Sequence, residues 1–156
     1  MGKLKIESIE KKLKTKALAK AVYTVLGQTA NIKAELVFAS EEEIHNLNNT
    51  TRGVDKVTDV LSFPTLDGVR GKVIKQKDFP LDTDGKYTFI GSIVLCSQKI
   101  IEQAKEYGNT EKQERDYLII HGLLHLFGYD HEIDSDKAQM RKLEKEILLK
   151  LGRKDD

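Results

Sequence analysis

Apolar positions recur along the chain in blocks that predict four strands and four or five helices. Leu4 and Ile6 alternate with lysines, the two-residue period of a strand with one buried face. From about residue 11 to Gly27, Leu13, Leu18, Ala21, Val22 and Leu26 recur at helical spacing, and Gly27 suits the helix C-terminus, where a left-handed residue ends the turn. Residues 34–38 predict a second strand. Ser40 with Glu43 three positions on is a capping box, in which side chains and backbone N–H groups satisfy one another, and it opens a helix over 41–48. A third strand is expected over 57–63, ended by Pro64. Residues 65–87 collect Gly68, Gly71, Pro80 and Gly85 among charges and read as a long surface excursion, a kind of loop that is often functional.

The most apolar strand is expected over 87–95, followed by a helix over 98–107 closed by Gly108. Thr110 is placed to cap a helix running to about Phe127. Ser135 is placed to cap a last one, whose Met140, Leu143, Ile147, Leu148 and Leu151 form one buried stripe. The mixture predicts an α+β fold: a single metallo-hydrolase domain over 1–156, with about a four-stranded mixed sheet packed against four or five helices. Strand order is not encoded in the pattern.

Composition narrows this without redirecting it. The chain has 156 residues, 39% hydrophobic and 33% charged, which suits one globular domain with one core. Net charge is only +1, so there is no global signature of nucleic-acid binding. Residues 1–35 nonetheless carry lysines at 3, 5, 11, 12, 14, 16, 20 and 33 against Glu7, Glu10 and Glu35, a solvated face that can also meet an acidic partner. The single cysteine, Cys96, excludes an internal disulfide and a multi-thiolate metal site, and its apolar surroundings suggest a small buried hydrophobe. No apolar stretch approaches the ~20 residues of a membrane span, and the N-terminus lacks a signal-like apolar run, so a cytoplasmic protein is expected.

The chemistry concentrates in His121-Gly122-Leu123-Leu124-His125-Leu126-Phe127-Gly128-Tyr129-Asp130-His131. Side chains at i and i+4 share a helix face, so His121 and His125 can chelate one ion. Gly128 is placed to end the helix and turn the chain back, bringing His131 to the same ion. Three imidazoles and no protein group in the fourth position is the pattern of catalytic zinc, whereas structural zinc closes all four positions. One Zn²⁺ per chain is therefore expected. His45, alone on a polar helix, reads as a surface residue. The metzincin peptidases use the same three histidines and glycine at the same offsets, but this chain has Gly122 where they carry their general-base Glu, which argues against peptidase chemistry. A glycine inside a helix implies that something occupies the space above it. We expect that to be substrate, with a close-packed strand such as 90–94 as the alternative.

The eleven-residue run resembles the signature of the bacterial YbeY family of ribosomal RNA maturation endoribonucleases. The segment Leu47-Asn48-Asn49-Thr50-Thr51-Arg52-Gly53-Val54-Asp55-Lys56-Val57-Thr58-Asp59-Val60-Leu61-Ser62-Phe63-Pro64 is similar to that family's other hallmark, and Ile90-Gly91-Ser92-Ile93-Val94 to its Gly-Asp-Ile strand, with Ser92 where Asp is frequent. The resemblance implies a zincin-like metal helix and a zinc-dependent, single-strand-specific endoribonuclease of the cytoplasm. Its implied role is maturation of the 3′ end of the small-subunit (16S) ribosomal RNA and ribosome quality control, with small-subunit ribosomal proteins and an assembly GTPase as partners.

Two further residues are candidates for catalysis. Cleaving a phosphodiester builds charge on phosphoryl oxygens, which fixed positive charge stabilises, and Arg52 offers a permanently charged, bidentate fork. A salt bridge to Asp55 or Asp59 is its structural alternative. Asp130, beside His131, can orient a ligand ring or shuttle a proton, or it can hold the turn. Asp59 reads as structural. Water and the substrate's own 2′-OH both stay open as nucleophile. The competing classes are a non-catalytic ribosome-assembly factor with a structural zinc, and a peptidase or small-molecule hydrolase on the tri-histidine frame.

Overall fold

The computed structural model describes residues 2–10 and 12–152. Four strands, β1 (Leu4–Glu7), β2 (Ile32–Ala39), β3 (Val60–Pro64) and β4 (Thr88–Cys96), form one mixed sheet in the order β1-β2-β4-β3. β1, β2 and β4 run parallel, and β3 lies antiparallel on the outer edge of β4. Five α-helices accompany them: α1 (Lys16–Val25), α2 (Glu41–Arg52), α3 (Ser97–Tyr107), α4 (Glu111–Leu126) and α5 (Asp134–Lys150). The expected α+β class, the four-stranded mixed sheet and the helix count all appear.

The two faces of the sheet bury different material, as the alternation of side chains along a strand requires. Ile32, Ala34 and Leu36 of β2 and Ile90, Ile93 and Leu95 of β4 enter the main core with residues of α1, α4 and α5. Val94 and Cys96 of β4 point the other way, into a smaller cluster with Leu61 and with Ile44 of α2. Cys96 is fully buried and unpaired, the small hydrophobe its setting implies. α4 carries the middle of the main core: Leu118, Ile119, Ile120, Leu123, Leu124 and Leu126 are all 3% exposed or less. Its start is fixed as expected, with Thr110 and Gln113 forming a reciprocal capping box.

Several boundaries differ from expectation for identifiable reasons. α1 begins at Lys16; Lys11, at the expected start, lies outside the described residues. α2 does not stop at 48 but continues to Arg52, where Gly53 in a left-handed conformation ends it. Asn48 and Thr51, poor helix formers, are accommodated because Asn48 Nδ2 donates to Lys56 O and Thr51 Oγ1 donates back to Leu47 O. β3 starts at Val60 instead of 57. The last helix is not capped by Ser135: it starts at Asp134, its cap position is Ile133, and acidic Asp134 and Asp136 occupy its first turn, favourable against the helix dipole.

The segment 65–87 is the largest correction. It is not a plain surface excursion, since Leu66, Val69 and Ile74 belong to the main core. Buried Gln28 fastens it, its Nε2 donating to Lys72 O at 2.8 Å and its Oε1 accepting from Ile74 N at 2.9 Å. Two 3₁₀ turns, Gln76–Asp78 and Pro80–Asp82, complete it. No helix among the described residues is long and apolar enough to cross a membrane.

Candidate metal centre

α4 supplies His121 and His125 from one face, one turn apart, while its opposite side is anchored in the core. The helix then ends in a Schellman motif. Tyr129 N–H donates to Leu124 O and Gly128 N–H donates to His125 O, both at 3.0 Å. Gly128 has φ +91°, a conformation in which an L side chain is strained. This turn brings His131 back to the helix. One ring nitrogen from each of His121, His125 and His131 lies within 4.8 Å of the other two. The Nε2 atoms of His121 and His125 are 3.2 Å apart. Nitrogens at about 2.0–2.1 Å from a tetrahedral zinc stand about 3.3 Å from one another, so the pair fits such an ion with little movement. Among the described residues no fourth His, Cys, Asp or Glu joins the group, so a tetrahedral ion held by these three would keep one position for a group from outside the protein.

The ring of His121 is oriented from behind. Its Nδ1 lies 2.8 Å from Glu144 Oε2, and Glu144 is only 6% exposed. A proton on Nδ1 donated to this carboxylate leaves the Nε2 lone pair facing the cluster, the arrangement that fixes a ligating histidine's tautomer. Glu144 was not among the expected site residues. Its signal was a carboxylate one turn from Met140 and three residues before Ile147, within the apolar stripe of α5. Tyr117, one turn before His121, stacks loosely against it with centroids 6.2 Å apart. Burial and the Glu144 carboxylate push the Tyr117 phenol up to about 12, so it stays neutral.

His125 favours its ligating form. Burial first, then the proximity of His121 and His131, pushes His125 down to about 4. It is therefore neutral at ordinary pH, as a metal ligand must be. Asp130 sits in the turn, and its Oδ1 accepts the backbone N–H of His131 at 2.6 Å. The geometry shows it holding the chain that carries the third histidine.

Gly122 points elsewhere. A Cβ there would stand 3.0–3.1 Å from Cγ2, Cδ1 and Cγ1 of Ile93 in β4. The expectation that it borders the substrate is wrong; the close-packed strand is the reason for the glycine. Arg52 is the last residue of α2 and is exposed. Among the described residues no hydrogen bond or ion pair joins it to the histidines, nor to Asp55, which pairs instead with His45 at 2.6 Å. His45 is thus a half-exposed partner of Asp55. Asp59 precedes β3, and its backbone carbonyl accepts from Cys96 N, in keeping with a structural place. Ser92 Oγ donates to Glu35 on the neighbouring strand at 3.2 Å.

Comparison with known proteins agrees with this geometry. Residues 3–152 match the family described as Endoribonuclease YbeY. A relative of that name from Clostridium botulinum (strain Alaska E43 / Type E3) is 46% identical over 131 residues, covering 80% of this chain and 79% of the relative. Another from Alkaliphilus metalliredigens is 41% identical over 147 residues, covering 92% and 88%. The solution structure of a Thermotoga maritima protein superposes with a TM-score of 0.55 at 27% identity, covering 96% of this chain and 91% of that one.

Proposed function

The chain belongs to the YbeY family, and on that premise we propose that it is a zinc-dependent endoribonuclease that cuts single-stranded RNA. The observation that carries the reading is the trio of histidine nitrogens with an open fourth position, in a chain whose relatives are named endoribonucleases. The donor set fits the ion: three imidazoles, no thiolate, and a buried carboxylate orienting one ring. Held by His121, His125 and His131, the ion would supply Lewis acidity for phosphodiester cleavage.

The protein's own groups do the rest. Glu144 holds His121 in the ligating tautomer, and burial keeps His125 unprotonated. Asp130 fixes the local turn at His131 by accepting its backbone N–H. Arg52 is exposed and without an ion pair among the described residues, so its fork is available to a phosphoryl group, where it would offset developing negative charge. The substrate we propose is small-subunit ribosomal RNA near its 3′ end, met in the cytoplasm. Small-subunit ribosomal proteins and an assembly GTPase are the proposed partners, and ribosome quality control the wider role.

The test is direct. Protein carrying one zinc per chain is incubated with end-labelled single-stranded RNA, the matched duplex, and casein. Internal cleavage of the single strand alone is expected, and it should disappear in His125→Ala together with the zinc. Cleavage that survives loss of the metal, or casein hydrolysis in place of RNA cleavage, would overturn the assignment.

A further inference from the structure

Two of the three histidines need little help to meet. His121 and His125 sit on one buried helix whose pitch sets their separation, and Glu144 fixes one ring. His131 is different: it is exposed and lies on the turn between α4 and α5. Among the described residues its one hydrogen bond is the local one from its own backbone N–H to Asp130. Something beyond the turn has to fix its distance from the helix.

Arg70, on the core-strapped 65–87 segment, touches the turn on both sides. At the α4 end its backbone packs against Gly128, where an added Cβ would come within 3.0 Å of Arg70 N and 3.3 Å of its Cα. Its guanidinium lies 5.7 Å from the centroid of the Tyr129 ring. At the α5 end the same guanidinium donates to Asp136 Oδ1 at 2.6 Å and to Gln139 Oε1. Asp136 and Gln139 are three apart and share a helix face. α5 is also the helix that carries Glu144. One side chain therefore ties the end of the ligand helix to the helix that orients His121, across the turn that presents His131.

We propose that Arg70 is a positioning residue of the metal centre, clamping Tyr129 to Asp136 and Gln139 so that His131 is held at ligating distance. This rests on the reading of the three histidines as a metal site and is independent of whether the substrate is RNA. A guanidinium suits the task because it can stack on an aromatic face and donate two bonds in its plane at once.

The experiment titrates zinc into the metal-free protein against a chromophoric chelator and records the visible spectrum of the Co²⁺-substituted form. Wild type, Arg70→Ala, Arg70→Lys and Asp136→Asn are compared. Lys33→Ala, which breaks the remote pairs to Asp84 and Glu7, is the control for general loss of stability. Loss of a group that orients a ligand typically weakens metal affinity about 10- to 100-fold. That loss is expected for Arg70→Ala, with an altered cobalt spectrum. Arg70→Lys should recover part of the affinity, and Asp136→Asn should shift it in the same direction as Arg70→Ala. Lys33→Ala should leave both readouts at wild-type values. Wild-type affinity and spectrum in Arg70→Ala and Asp136→Asn would overturn the clamp alone, as would an equal loss in Lys33→Ala. A wild-type protein that binds neither zinc nor cobalt would overturn the metal reading itself.

Discussion

Gly122→Ala measures how tightly α4 sits on β4. Inside a helix, alanine is favoured over glycine by about 1 kcal/mol, so propensity alone predicts stabilisation. The added methyl, however, meets three carbons of Ile93 at 3.0–3.1 Å, closer than an ordinary contact. Ile93 is 1% exposed in a central strand, with the core around it and little room to yield. Overpacking of this kind costs about 1–3 kcal/mol. The net effect should be a loss on the order of 1 kcal/mol, or about 2–4 °C in melting temperature for a chain of this size. The sign is the informative part, and a second background exposes it. Ile93→Ala removes all three opposing atoms and costs about 2–5 kcal/mol by itself. In that background Gly122→Ala should stabilise, by up to about 1 kcal/mol, because only propensity remains. Urea unfolding of the four proteins gives the cycle directly. If Gly122→Ala stabilises the wild type, or has the same sign in both backgrounds, the contact with Ile93 is not why this position is glycine. Gly122→Glu, which would drive a carboxylate toward the same core, should unfold the protein and not merely exclude substrate.

Two further outcomes follow from the site. Glu144→Gln keeps a hydrogen-bond acceptor for His121 Nδ1 but removes the charge, and Glu144→Ala removes both. Zinc affinity measured by chelator competition should fall in that order, by about 10- to 100-fold for the alanine, and unchanged affinity in Glu144→Ala would remove its orienting role. Arg52→Ala should retain fold and zinc yet lose on the order of a hundredfold in RNA cleavage rate, the scale of one strong electrostatic contact, while Arg52→Lys restores only part of it. A full-rate Arg52→Ala enzyme would exclude the phosphoryl role.

What could be read from the sequence and what could not divides along chain distance. The meeting of the three histidines was legible because helix pitch turns a spacing of four into a separation in space, and because glycine at 128 implies the left-handed turn that returns His131. The stripe on α5 was legible for the same reason, since Met140 and Ile147 repeat at helical period and are buried. Glu144 sits in that stripe, but its meaning depends on His121, 23 positions away. From sequence alone it is one acid among many. The 65–87 segment failed on the same ground: Leu66, Val69 and Ile74 follow no period, and the groups that strap it down, Gln28 and Asn31, lie more than forty positions before the residues they bond. Arg70 was invisible twice over, as a charge in an aperiodic loop whose partners are 66 and 69 residues ahead. The three histidines that could hold an ion are thus local in sequence, while Glu144 and Arg70, which by our reading aim them, are joined to them through the tertiary fold. A motif search finds the three histidines. By our reading, the packing of α5 and the 65–87 segment around the turn sets where His131 stands relative to the helix.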